Sequence, residues 1–102
     1  MGLVTPLGVG VESNWQGLLD GRSGAQVIDH FSTEDLRCKI GCLVPKVGRD
    51  DDAAAFDPEQ WVSRPDQRKM DEFIVYAISA AEQALDDAGW RPDGEEDQLR
   101  TG

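Results

Sequence analysis

The sequence predicts a mainly helical chain joined by loops, with at most short strands. Two stretches space their apolar residues for one face of a helix, one near the N-terminus and one over residues 64–88. Strand-like alternation is confined to a few residues in the middle of the chain. The length of 102 residues leaves room for one small domain with a single modest core.

"MGLVTPLGVG" places glycines around Pro6 but matches neither G-x-x-x-x-G-K-[ST] nor G-x-G-x-x-G, so it reads as a turn rather than a phosphate loop. In "VESNWQGLLDG", Val11, Trp15, Leu18 and Leu19 stand at i, i+4, i+7 and i+8, which predicts a helix over 11–20. Gly21 then offers a left-handed residue to end it. "GRSGAQVIDHFSTEDL" is punctuated by Gly and Ser and reads as a loop with an extended piece at Gln26–Ile28. "CKIGCLV" alternates weakly and predicts a short strand closed by Pro45. "KVGRDDDAAAFDP" reads as a polar surface loop in which Asp50–Asp52 are solvated.

The longest predicted element follows Ser63. Ser63 is placed to cap it, Asp66 stands three residues on, and Pro65 falls in the first turn, where its missing N–H costs nothing. Met70, Phe73, Ile74, Ala77, Ala81, Ala84, Leu85 and Ala88 then share one face, and Gly89, Trp90 and Pro92 form a stop. A continuous helix over 64–88 would be about 37 Å long, too long for so short a globule. Its alanine-rich face calls for close contact with a helix or sheet, which can lie outside this chain.

Twenty acidic residues against ten basic ones give a formal net charge of −10, which argues against a nucleic-acid or anionic-membrane binder. No apolar run reaches the ~20 residues of a membrane span. The N-terminus lacks the pattern of a signal peptide, and Pro6 breaks the myristoylation pattern. Cytoplasm is the default location. Cys38 and Cys42 form a C-x3-C pair beside a single histidine, His30, too few ligands for a closed zinc site. On a strand they would lie ~13 Å apart, beyond the ~4.4–6.8 Å of a disulfide, so buried thiols are expected. His30 in a loop is thin support for an activated nucleophile. Trp15, Trp61 and Trp90 are expected as core or rim anchors.

One cluster breaks a local rule. Residues 1–49 carry five acids and five bases, and residues 50–102 carry fifteen acids and five bases. Yet "SRPDQRKMD" crowds Arg64, Arg68 and Lys69 at a predicted helix start, where the dipole disfavours cations. Arg64 and Arg68, four apart, share a face. Two readings stand: a solvated helix end partly neutralised by Asp66, Asp71 and Glu72, or a surface accepting a carboxylate- or phosphate-rich partner, with arginine suited to bidentate contacts.

The segments "GLVTPLGVGVESNWQGLLDGRSG", "IDHF" and "DQRKMDEFIVYAISAAEQALDDAGW", with "RTG" closing, resemble the N-terminal part of the β-ketoacyl-acyl-carrier-protein synthase II family, the elongating condensing enzymes of type II fatty acid synthesis. Synthase I, nodulation and polyketide ketosynthase relatives are also similar. The resemblance covers essentially every residue here but only about a quarter of the family's usual length. It implies a thiolase-like α/β fold in α-β-α-β-α layers, of which 1–102 would be a partial N-terminal portion lacking the first core strand and all residues after the second helix region. It also implies a homodimer at full length, acyl carrier protein as partner and no cofactor or metal.

The family's cysteine nucleophile and two histidines lie beyond Gly102 by this resemblance, so no catalytic residue is expected in this chain. Neither Cys38 nor Cys42 matches the nucleophile's surroundings, and His30 matches neither catalytic histidine. In relatives, basic residues after "SR" help dock the acidic carrier protein. Arg68 and Lys69 fall on matching positions with Arg64 adjacent, while Pro65 stands where a lysine often occurs. The resemblance thus implies either a piece of a condensing enzyme or a non-catalytic stub that binds carrier protein.

Overall fold

The chain opens with a tight hairpin. The computed structural model describes residues 1–50 and 54–101, and in it β1 (Val4–Thr5) pairs antiparallel with β2 (Gly8–Val9) through the turn at Pro6. Gly8 and Gly10 sit at φ 126° and 93°, backbone that side chains resist, so the chain can reverse straight into helix α1 (Val11–Leu19). Gly21, at φ 65°, ends α1 as its position predicts.

Asn14 fastens the hairpin to the helix. Its side chain is buried, and its amide donates to the carbonyls of Gly8 at 3.0 Å and Gly10 at 2.7 Å. The Thr5 hydroxyl donates to its Oδ1. The expected apolar stripe is therefore not the packed face: Asn14 and Gly17 point inward, while Val11, Trp15, Leu18 and Leu19 stay exposed. Polar bonding to two turn carbonyls, which periodicity does not register, sets the rotation of α1.

A second antiparallel pair joins β3 (Ala25–Val27) to β4 (Ile40–Cys42), with Gln26 opposite Gly41. Both strands fall where the sequence places them, but the cysteines do not: Cys38 and Cys42 are exposed free thiols. Among the described residues β3 is exposed throughout, and in β4 only Gly41 is half-buried.

The core lies where the sequence predicts only a polar loop. Phe56 is 2% exposed and, with Val62 and Val75, forms the buried apolar cluster of the described residues. Phe56 is held by its N–H to the Pro45 carbonyl at 2.6 Å and by its own carbonyl accepting from Val47 at 3.1 Å. Its ring meets Tyr76 edge-on, centroids 4.8 Å apart. Asp50, expected to be solvated, instead accepts from the Lys46 N–H at 2.8 Å and Arg49 Nε at 3.0 Å. Asp51 and Asp52, the rest of that acidic run, lie outside the described residues.

The predicted long helix is two helices. After a 3₁₀ turn at Pro58–Gln60, α2 covers only Arg64–Gln67 and α3 runs Glu72–Ala88. Between them Asp71 is extended, with ψ 155°, and serves as the N-cap residue of α3. Asp71 and Glu72 thus make a second helix start inside a run that periodicity treats as continuous. The C-terminal stop is as predicted: Gly89 is left-handed at φ 62°, its N–H bonds the Asp86 carbonyl at 3.1 Å, and that of Trp90 bonds Leu85 at 3.2 Å.

The inward face of α3 is Val75 and Ser79. Leu3 N–H donates to Gln83, which donates to the buried Ser79 hydroxyl at 3.2 Å. Phe73, Ala77, Ala81 and Ala88, on the predicted apolar face, remain exposed. A last helix, α4 (Glu95–Arg100), is tied back where Trp90 Nε1 donates to Thr101 Oγ1 at 3.0 Å.

Candidate functional site

The residues from Ser63 to Asp71 form a short ledge between the core and solvent. Two side chains anchor it. Gln67 Nε2 donates to the Val62 carbonyl at 2.6 Å, and Met70 packs against the Phe56–Val62–Val75 cluster. With Gln67 and Met70 turned inward, the two residues between them, Arg68 and Lys69, are turned to solvent. The break before α3 also removes the electrostatic anomaly for Arg68 and Lys69, while Arg64 stays at the first position of α2. Arg68 ends α2 and Lys69 follows it, whereas α3 begins on Asp71 and Glu72, acids at its positive end.

The three cations differ in their surroundings. Arg64 is engaged by Glu59, with Nε at 2.7 Å and Nη2 at 2.6 Å from Oε1, and this carboxylate pushes the guanidinium pKa up. Lys69 Nζ lies 3.3 Å from Asp66 Oδ1, while the Ser63 hydroxyl donates to Asp66 Oδ2 at 2.6 Å. The Ser63 bond, with Lys69 second, holds the Asp66 carboxyl below its usual range. Ser63 thus reaches the Asp66 side chain instead of capping the backbone, as the sequence would have it. Arg68 is exposed and has no carboxylate partner among the described residues. Glu59 was not visible as a partner in the sequence, because it lies in a separate 3₁₀ turn.

Behind the ledge a small cleft of about 160 Å³ is lined by Phe56, Pro58, Gln67, Met70, Glu72 and Val75. Here Lys46 pairs with Glu72, which stands one helical turn before Tyr76. Burial works against the Glu72 carboxylate, but Lys46, Tyr76 and Arg49 outweigh it and hold its pKa below the ordinary 4.5. Burial, and then Glu72, push the Tyr76 hydroxyl up to about 12. This network ties the loop carrying Lys46 to the first turn of α3.

The remaining candidates are not brought together. Cys38 Sγ donates to the Ile40 carbonyl at 3.3 Å, and His30 stacks edge-on against Phe31 at 4.7 Å. Among the described residues no three His, Cys, Asp or Glu side chains are grouped to hold a metal ion, and no helix is long and apolar enough to cross a membrane. What the ledge offers chemically is recognition of anions, by guanidinium forks and an ammonium.

The family model "Beta-ketoacyl synthase, N-terminal domain" matches residues 1–102. The chain belongs to the β-ketoacyl synthase family. This synthase segment is 46% identical over 101 residues to 3-oxoacyl-[acyl-carrier-protein] synthase 2 of Rhizobium meliloti, covering 99% of the chain and 24% of that relative. It is 44% identical over 89 residues to the protein of the same name from Vibrio cholerae, covering 87% and 19%. A more distant relative is the tetracenomycin polyketide synthase ketoacyl synthase beta subunit of Streptomyces glaucescens, 33% identical over 97 residues. The chain spans between about a fifth and a quarter of the length of these curated relatives, 19% to 24%.

Proposed function

We propose that this chain is the N-terminal portion of a condensing enzyme of the synthase II type, and that Arg64, Arg68 and Lys69 form a docking lip for an acidic acyl carrier protein. The whole enzyme would join an acyl-enzyme thioester to malonyl-carrier protein by decarboxylative Claisen condensation. Loss of carbon dioxide from the malonyl group supplies the carbanion that attacks the acyl carbonyl, and the enzyme thiol leaves. The nucleophile and its two histidines would lie in the part of the enzyme beyond Gly102. The enzyme would adopt thiolase-like α-β-α-β-α layers, act as a homodimer in the cytoplasm and use no cofactor.

The observation that carries the docking reading is Arg68: exposed, unpaired with any acid among the described residues, and flanked by the half-buried anchors Gln67 and Met70. A guanidinium so presented is suited to the carboxylates of a partner surface. The identity of 46% to the Rhizobium synthase 2 favours fatty acid elongation over the polyketide reading, whose relative stands at 33%.

In the full-length enzyme, Arg68→Glu should weaken binding of holo-acyl carrier protein about tenfold at low ionic strength, roughly 1.4 kcal/mol. Lys69→Glu should add to it, and rising salt should shrink the difference. Unchanged affinity of the double variant at low salt would return the cluster to ordinary surface charge.

A further inference from the structure

Resting on the docking reading above, we propose that Glu59 and Asp66 are built-in competitors for the docking cations. They hold Arg64 and Lys69 in the unbound protein and release them to partner carboxylates on docking. Arg68 is then the capture residue, and the other two cations are recruited only after contact.

The geometry supports an exchange rather than a fixed network. Both ion pairs stand in solvent, with side-chain exposures of 74% and 52% for Arg64–Glu59 and 74% and 53% for Lys69–Asp66. Exposed pairs are held by little net free energy, so an incoming carboxylate can displace the internal one. Neither acid is stranded when its cation leaves. Asp66 keeps the Ser63 hydroxyl at 2.6 Å, and Glu59 stays in water at its place in the 3₁₀ turn, which is pinned by its N–H to Asp57 Oδ1 at 3.0 Å. The two cations are unequal as well. Arg64 is bound by two nitrogens at 2.6–2.7 Å, whereas Lys69 makes one longer contact at 3.3 Å, so Lys69 is released more readily.

Such masking suits a chain of net charge −10 meeting an acidic partner. Three uncovered cations would attract any polyanion, whereas one capture residue with two conditional ones demands partner carboxylates placed to compete with Glu59 and Asp66.

The test measures binding of holo-acyl carrier protein to the full-length enzyme at low ionic strength. Glu59→Gln and Asp66→Asn remove the competing charge, and the amide oxygen of the second variant can still accept from Ser63. Each should tighten binding about 1.5- to 5-fold, the range of a surface pair. Asp71→Asn is the control for simple loss of repulsion: Asp71 is exposed beside the patch, pairs with no cation among the described residues, and asparagine remains a good N-cap. Masking requires that both variants exceed this control. If neither does while Arg68→Glu still weakens binding, the masking is overturned and docking stands. If Arg68→Glu leaves affinity unchanged, docking falls and masking falls with it.

Discussion

Asn14 shows how a single polar side chain organises the N-terminal third of the chain. Its amide takes two turn carbonyls, and its oxygen takes the Thr5 hydroxyl. Asn14→Ala would remove the side-chain donor from the buried Gly8 carbonyl, while Gly10 keeps the Ser13 hydroxyl at 3.1 Å, at a cost of about 1–3 kcal/mol. Asn14→Asp should be no better, because a carboxylate cannot donate to Gly8 and Gly10. Urea denaturation of the longer enzyme proposed above and of its variants, followed by circular dichroism, checks this; a wild-type midpoint for Asn14→Ala would refute the role. The sequence carried this residue inside a predicted helix but gave no sign that it, rather than Trp15 or Leu18, faces inward. Periodicity ranks residues by apolarity, whereas here the inward position was decided by unsatisfied backbone acceptors.

At the scale of elements, the junction between the Lys46 loop and α3 depends on pH in two opposite directions. The folded-state pKa of Glu72 is depressed below 4.5, so its contribution to stability is complete above that value and lost as pH falls through the folded pKa. The folded-state pKa of Tyr76 is raised from 10 to about 12, so its contribution is complete below pH 10 and lost as pH rises through about 12. Tyr76 is the single tyrosine of these 102 residues, so in this chain its phenolate absorbance reports one group. A titration midpoint near 10 would contradict first the burial of the Tyr76 hydroxyl and then the influence of Glu72. Lys46→Met should flatten the acid limb of stability against pH by less than about 1 kcal/mol, since the pair is partly exposed, and leave the alkaline limb in place.

The split of the long helix belongs to the same scale. Pro65 in the first turn and the Gly89 stop were legible because each acts through local backbone geometry. The break at Asp71 was not, because it accompanies a local side-chain bond from Gln67 to the Val62 carbonyl and the packing of Met70 on the core around Phe56, neither of which apolar spacing registers. It also shifts Arg68 and Lys69 from a supposed helix start to the end of α2, which makes their charge electrostatically ordinary and leaves their exposure as the informative property.

The whole molecule is open. Its radius of gyration is 16.5 Å, against about 13 Å for a compact domain of this length. Three buried apolar side chains form the core of the described residues, while Trp15, Leu18, Leu19 and Phe73 are each more than half exposed. Apolar surface on this scale, in a chain that spans 19% to 24% of its relatives' length, is surface that the longer enzyme proposed above would cover. The isolated 102-residue polypeptide should therefore bind a hydrophobic dye, self-associate and show no condensation activity. A sharp two-state melt of a monomer would contradict the first two, and any turnover of malonyl-carrier protein would contradict the third.

By itself the sequence determined the glycine-ended stops of α1 and α3 and the position of both middle strands, and its resemblance to a family pointed to the cations of the candidate docking lip. These depend on residue-local properties: glycine's access to positive φ, proline's fixed φ, apolar spacing and the identity of charged groups. Only the tertiary structure decided which faces are buried, that Phe56 rather than the alanine stripe makes the core, and that Arg68 alone of the three cations lacks an acid among the described residues. Those outcomes depend on which distant groups arrive to satisfy a carbonyl or cover a ring, and no local pattern encodes that.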